Sequence, residues 1–265
     1  MRQAVTEEPI IDLAAWLQTP GGIYVREWEH ACLNRLTADI FGFNAVQIGA
    51  PGIDALAANR MPYRFVSDAT PPSASASVSQ AAVTLPQALI HDFSELPFAS
   101  QSLDLVILPH VLEFSAAPHQ VLREVERVLI PEGQLIICGF NPLSLWGLRR
   151  SVARLTGAHF LPQGGDFIHL SRLKDWLELL DMEVGRGDYG CYAPYFATDK
   201  WLRRFHFMET VGSRWWPYLG AVHIVRAIKR VKGMRLVGPA RFRQKSKARQ
   251  AVPATNKVRE NNKGE

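Results

Sequence analysis

The chain has 265 residues, 47% of them apolar, a formal net charge of +5 and three cysteines. That suits one large domain with a substantial core plus tails. No run is apolar enough to cross a bilayer, and the N-terminus lacks the basic start and apolar stretch of a signal peptide. Cys32, Cys138 and Cys191 have no metal-ligand spacing, so a reducing, cytoplasmic setting is expected. The charge is unevenly placed. Of 30 basic and 25 acidic residues, 13 and 2 fall from Arg226 onward, leaving 17 and 23 before it, so a mildly acidic body carries a basic tail.

Taken in order, Pro9–Leu17 reads as a short helix halted by Thr19-Pro20-Gly21-Gly22. Ile23–Phe41 reads as a longer helix with Tyr24, Val25, Trp28, Cys32, Leu33, Leu36 and Ile40 on its inner face. Phe43–Ile48 forms a strand, Gly49-Ala50-Pro51-Gly52 a tight turn, and Ile53–Asn59 a second helical stretch. Tyr63–Ser67 is the next strand, ended by Asp68. Residues Ala69–Gln80 form a Pro/Ser/Ala loop without periodicity, read as a flexible insertion. Gln87–His91 is a strand running into Asp92, and Phe93–Gln101 crosses to the clearest unit of the chain.

That unit is Ser102–Asn141. Two apolar runs, Leu103–Leu108 and Leu135–Phe140, flank a segment in which Val121, Leu122, Val125, Val128 and Leu129 define one helical face, opposite Arg123, Glu124, Glu126 and Arg127. Pro118 suits a first helical turn, and Pro131-Glu132-Gly133 turns the chain back. Strand, helix, turn and strand make a βαβ unit with parallel strands and a right-handed crossover. Beyond it come a helix around Leu143–Leu155, a loop at Gly157–Gly165, and a helix N-capped by Ser171 with Leu173, Trp176, Leu177 and Leu180 on one face. A strand starts at Met182–Val184, an aromatic-rich irregular segment covers Asp188–Tyr218, and a last strand covers Ala221–Ile228. The fold class is α/β, a doubly wound, mostly parallel sheet, in which ligands bind beyond the carboxyl ends of the strands.

The block Leu89–Pro142, LIHDFSELPFASQSLDLVILPHVLEF followed by HQVLREVERVLIPEGQLIICGFNP, resembles the class I S-adenosylmethionine-dependent methyltransferases, closest to the type 11 group and to a bacterial branch with a degenerate glycine motif. The resemblance implies a seven-stranded Rossmann-like sheet and S-adenosylmethionine as cofactor. The chain is then read as N-terminal helices (1–42), a methyltransferase domain (43–231, with insertions at 69–80 and 188–218) and a basic, disordered tail (232–265) for which the resemblance does not account. The resemblance also implies cofactor-binding residues: Gln47, Gly49 and Gly52 at the turn after strand one, Asp68 on the ribose, Asp92 and Phe93 beside the adenine, and Pro109 and His110 along the methyl-transfer pocket. The family motif reads approximately D/E-x-G-x-G-x-G, whereas here Gln47 replaces the acid, Pro51 and Ile53 replace glycines, and Gly52 is one residue out of register.

The residues leave several readings side by side. His110 is the candidate catalytic residue, as a general base or substrate contact; otherwise it is a polar residue satisfied at a sheet end. Glu113 either orients His110 or a substrate amine, or is an exposed loop carboxylate, the last being favoured. The remaining histidines form no ligand cluster, so no metal is expected. The aromatic segment either caps an apolar acceptor, stacks a nucleobase or packs as an extra layer, and packing is favoured. The basic tail either contacts RNA phosphates or is a solvated chain, and the solvated chain is favoured. The expected function is methyl transfer to an unidentified acceptor, a small molecule being favoured. A catalytically inactive binding protein on the same fold and an RNA-associated methyltransferase stand as alternatives, and the oligomeric state is left open.

Overall fold

Eight strands hydrogen-bond into one sheet, and the chain crosses it in the order of a doubly wound fold. The computed structural model describes residues 9–69, 87–156, 161–162, 165–185, 187–195, 204–205 and 207–230. Most of the expected insertion at 69–80, the middle of the aromatic segment and the whole basic tail lie outside the described residues. In chain order the elements are α1 (Pro9–Trp16), α2 (Pro20–Thr37), β1 (Asn44–Ile48), β2 (Tyr63–Asp68), β3 (Gln87–Ile90), β4 (Leu103–Pro109) and α3 (Val111–Phe114). They continue with α4 (Pro118–Val128), β5 (Leu129–Phe140), α5 (Leu145–Thr156), α6 (Leu170–Leu179), β6 (Met182–Val184), β7 (Asp188–Gly190), α7 (Phe207–Trp215) and β8 (Val222–Lys229).

The sheet order is β3-β2-β1-β4-β5-β8-β6, parallel from β3 to β5, with β8 antiparallel to β5. The short β7 is an addition to the expected seven, pairing with the start of β8 while β6 pairs with its end. Strand order reverses between β1 and β4, where a doubly wound sheet opens its crevice. The consecutive apolar residues of β4 and β5 are there because both faces are covered: Leu105, Val106, Ile107, Leu108, Leu135 and Ile136 have no exposed surface. The α4 face read from the sequence is the buried one, through Val121, Leu122, Val125 and Val128. On its outer side, the Arg127 guanidinium bonds Glu124 at 2.8 Å and the carbonyls of Leu96 and Phe98 at 3.0 Å, tying the crossover from β3 to this helix.

Four local expectations are corrected or extended. Thr19-Pro20-Gly21-Gly22 begins α2 as well as ending α1: the Thr19 hydroxyl donates to the Trp16 carbonyl at 2.7 Å and accepts the Gly22 N–H, and Pro20 occupies a first-turn position that needs no donor. The Pro131-Glu132-Gly133 turn lies within β5 as a bulge, since Leu103 pairs with Leu129 but Leu105 with Gln134. The N-cap of α6 is His169, and Ser171 falls in the first turn. Residues 51–58 form turns, where a helix was expected over Ile53–Asn59. The Asn59 side chain holds the end of that stretch to the carbonyls of Thr37 and Ile40 and accepts the Met61 N–H, fixing it without a helical ladder. No helix among the described residues is long and apolar enough to cross a membrane.

Candidate active site

The carboxyl ends of β1, β2, β3 and β4 bring together residues far apart in sequence. Register places Ile48 opposite Ser67 and Asp68 opposite Ile90, and the Gly49 N–H donates to the Ser67 carbonyl at 2.7 Å. The turn leaving β1 therefore stands directly beside Asp68. Gly49 has φ +77°, and a Cβ there would come within 2.6 Å of Val111 and 3.5 Å of the Phe93 ring, so both conformation and space demand glycine. At Gly52 nothing lies within 4 Å of where a Cβ would stand, and the turn faces open space.

Gln47 is placed in this turn for a reason the motif comparison did not supply. Its side chain is buried, and its amide nitrogen donates to the carbonyls of Gly49, Ala50 and Ile53, the last at 2.7 Å. Its amide oxygen accepts the Ala55 N–H at 3.0 Å. A carboxylate has no donor and could not satisfy those carbonyls. Gln47 holds the turn in shape, replacing the order a following helix would impose. The Gln47→Glu variant should therefore lose about 2–4 kcal/mol, the cost of stranding buried carbonyls beside a buried charge, read as a lower urea midpoint. A midpoint matching the parent would refute this account of the turn.

Asp68 is buried at the end of β2, where one carboxylate oxygen accepts the Ala69 N–H at 2.8 Å. Asp92 is exposed, one oxygen accepting both the N–H and the hydroxyl of Ser94 at 2.8 Å. Phe93 has no exposed surface and supports the Gly49 turn.

The end of β4 differs most from its sequence reading. His110 adopts a left-handed backbone, φ 55° and ψ 16°, a conformation that costs about 1–3 kcal/mol in a non-glycine residue and persists only when its surroundings enforce it. They do so here. Its ring is buried, with Nε2 2.8 Å from Glu29 of α2 and Nδ1 3.0 Å from Glu113 of α3. Burial alone would lower its pKa, but the Glu29 carboxylate and the bonds from Glu113 push it up to about 10, so the ring is an imidazolium donating from both nitrogens. Glu113 also accepts the Phe140 N–H, and is buried, not the exposed loop carboxylate favoured above. Burial pushes its carboxyl up, while His110 and the Phe140 N–H pull it down.

The second oxygen of Glu29 accepts no hydrogen bond among the described residues. The imidazolium lies 4.4 Å from the Phe140 ring, which stacks on Phe167 at 5.0 Å, and the Arg150 guanidinium covers Phe167 at 3.8 Å. Two cations thus close a column of two aromatic rings, an arrangement that favours charge at both ends. His223 is buried nearby and held near pKa 4, by burial first and the His110 charge second, so it is neutral.

Sequence reasoning missed Glu29, although it carried a signal. It follows Val25 and precedes Leu33 by four residues each, a carboxylate in the middle of the apolar stripe of α2. Among the described residues, no group of three or more His, Cys, Asp or Glu side chains could hold a metal ion.

Residues 50–137 match the methyltransferase domain family. The whole chain is 30% identical to the uncharacterized protein YafS of Escherichia coli (strain K12), over 98% of both proteins. The chain belongs to the class I S-adenosylmethionine-dependent methyltransferases. Over 92 residues, 35% of this methyltransferase and 30% of the relative, it is 35% identical to malonyl-[acyl-carrier protein] O-methyltransferase of Laribacter hongkongensis. Its fold is that of an S-adenosylmethionine-dependent methyltransferase of Thermotoga maritima, with a TM-score of 0.56 at 14% identity, covering 84% of this chain and 98% of that one. The family implies S-adenosylmethionine as methyl donor. The residues fit it: an open glycine turn lies beside an acid at the end of β2, and a second acid follows β3.

Proposed function

We propose that this chain is a cytoplasmic enzyme that moves the methyl group of S-adenosylmethionine onto a small-molecule acceptor in the crevice beyond β1, β2, β3 and β4. The observation that supports this reading is the convergence of the Gly49–Gly52 turn with Asp68. In it, Asp68 would accept the ribose hydroxyls and Asp92 would border the adenine, while the wholly buried Phe93 supports the turn from beneath instead of facing the ring, and the open side of Gly52 lets the backbone approach the amino-acid end. When bound, the cofactor supplies an electrophilic methyl carbon on a sulfonium. The protein's task is then chiefly to hold donor and acceptor in line, an effect worth up to about 7–11 kcal/mol. His110 has both nitrogens engaged and its proton held by two carboxylates, so in this reading it takes no proton from the acceptor. It is a positioning residue that fixes the wall from Pro109 to Glu113.

Titration calorimetry with S-adenosylhomocysteine tests the reading. Asp68→Ala should weaken binding about 10- to 150-fold, the loss of hydrogen bonds to a charged group worth about 1.5–3 kcal/mol. Absence of heat and of thermal shift at millimolar ligand in the parent would refute it. A second reading, a binding protein that has lost catalysis, is favoured by Gln47 and by the turns that replace a helix after β1. Transfer of a labelled methyl group from S-adenosylmethionine to any extract component would exclude it.

A further inference from the structure

Helix α7 is built inside out. The residue it buries is Gly212, where a Cβ would come within 2.4 Å of the Tyr192 ring, so the helix rests on the body through its lack of a side chain. Its one acid, Glu209, is turned inward, accepting from the Tyr24 hydroxyl and from the N–H groups of Cys191 at 3.3 Å and Tyr192 at 3.0 Å. The large apolar residues point the other way. Phe207, Val211 and Trp215, spaced four apart on one helical face, are exposed, Trp215 by 70%, and Trp216 and Tyr218 extend the same surface.

The buried Asn141 ties this segment to the chain after β5: its amide donates to the carbonyls of Tyr218 and Gly220 at 2.8 and 2.9 Å and its oxygen accepts the Leu143 N–H at 3.1 Å. Leu143 and, one turn further on, Leu148 are exposed. An apolar area of this kind on two adjoining segments marks an interaction site, not scattered surface residues.

We propose that this face docks the protein on the surface of an anionic lipid bilayer. Two observations select that occupant. Beside Phe207, the exposed rings of Trp215, Trp216 and Tyr218 are indole and phenol, whose apolar body and polar edge suit the headgroup level of a membrane. Among the described residues, the exposed charges on these segments are also all of one sign: Arg149, Arg204 and Arg214, with Glu209 drawn inward. A second copy would bring two arginine-rimmed faces together, which like charges oppose. The 10 Lys and Arg against 2 Glu after residue 231 add to the same attraction for negative lipid. Helix α7 then lies in the interface plane, its ring-bearing side in lipid and its glycine side on the protein.

Sedimentation with large vesicles tests this. The full chain should pellet with vesicles of phosphatidylcholine and phosphatidylglycerol several-fold more than with phosphatidylcholine alone, and less at about 500 mM than at about 50 mM NaCl. The Phe207→Ser/Trp215→Ser variant should bind roughly tenfold more weakly with an unchanged melting temperature, since both side chains are exposed. Trp216→Ser should weaken binding in the same sense, and Arg214→Gln should reduce mainly the part that salt removes. No pelleting with either vesicle would overturn the proposal. So would undiminished binding of the double variant and Trp216→Ser, which would assign attachment to charge alone. A dimer seen by sedimentation equilibrium and abolished by the same substitutions, without vesicle binding, would make the face a protein interface.

Discussion

The Glu29→Ala variant should melt about 10 °C below the parent. The imidazolium of His110 is wholly buried, and Glu29 at 2.8 Å is the partner that brings α2 onto the end of β4. Removing one member of a buried pair strands the other charge, at about 3–5 kcal/mol. In a domain of this size each kcal/mol lowers the melting temperature by about 2–4 °C. Glu29→Gln should recover only part of the loss, because the amide can accept from His110 but puts a new donor where Glu29 has an oxygen without a partner. The double variant Glu29→Ala/His110→Ala should be less destabilised than the sum of its parts, since the second change removes the charge stranded by the first. Thermal melts followed by circular dichroism decide this; a fall below about 2 °C for Glu29→Ala would show the pair contributing little.

Stability should also peak near neutral pH and fall on both sides, with His110 responsible for the alkaline side. Its folded pKa of about 10 lies above the ordinary 6.5, so the native state holds a proton that the unfolded state gives up first. That contribution is complete below pH 6.5, declines as pH rises, and is gone above about 10. At about 1.4 kcal/mol per unit of separation, the loss amounts to a few kcal/mol. His223 acts on the other side. Held near 4, it stays neutral while the unfolded chain takes up a proton below 6.5, so stability falls from 6.5 down to about 4 and then levels off. Urea midpoints across pH 4–10 measure both limbs. In His110→Gln the alkaline limb should flatten between about pH 7 and 9, below the range in which Cys32, Cys138 and Cys191, held above 9.0 by burial, give up protons in the unfolded chain; an unchanged slope would assign it to other groups.

The sheet was legible because its signals are local and repeated. Four consecutive apolar positions in β4 have one reading, a strand covered on both sides, and the helix of the unit announces itself by spacing. Of the candidate site, family resemblance carried only the gathering of Gly49, Asp68 and Asp92 at the strand ends. What it could not carry was pairing at a distance. Glu29 and His110 are 81 residues apart, and nothing in either neighbourhood states that one will neutralise the other. Gln47 reads as a lost acid when compared with a motif, and as a required donor only once the carbonyls around it are known. The helix expected after Gly52 failed for the same reason, since the Gln47 side chain satisfies the Ile53 carbonyl, which a helical ladder would otherwise serve, and accepts the Ala55 N–H.

The separation between Glu29 and His110 also bears on how the chain is made. Helix α2 is synthesised before β1 to β8. Its apolar side, with Val25, Cys32 and Leu33, and the carboxylate set among them must wait for the end of β4. At about 5–20 residues per second, that wait is roughly 4–16 s. During it Glu29 is a help: a charge in the stripe keeps a nascent helix soluble and makes it a poor match for other apolar surfaces. Once β4 arrives, the same carboxylate selects the correct one.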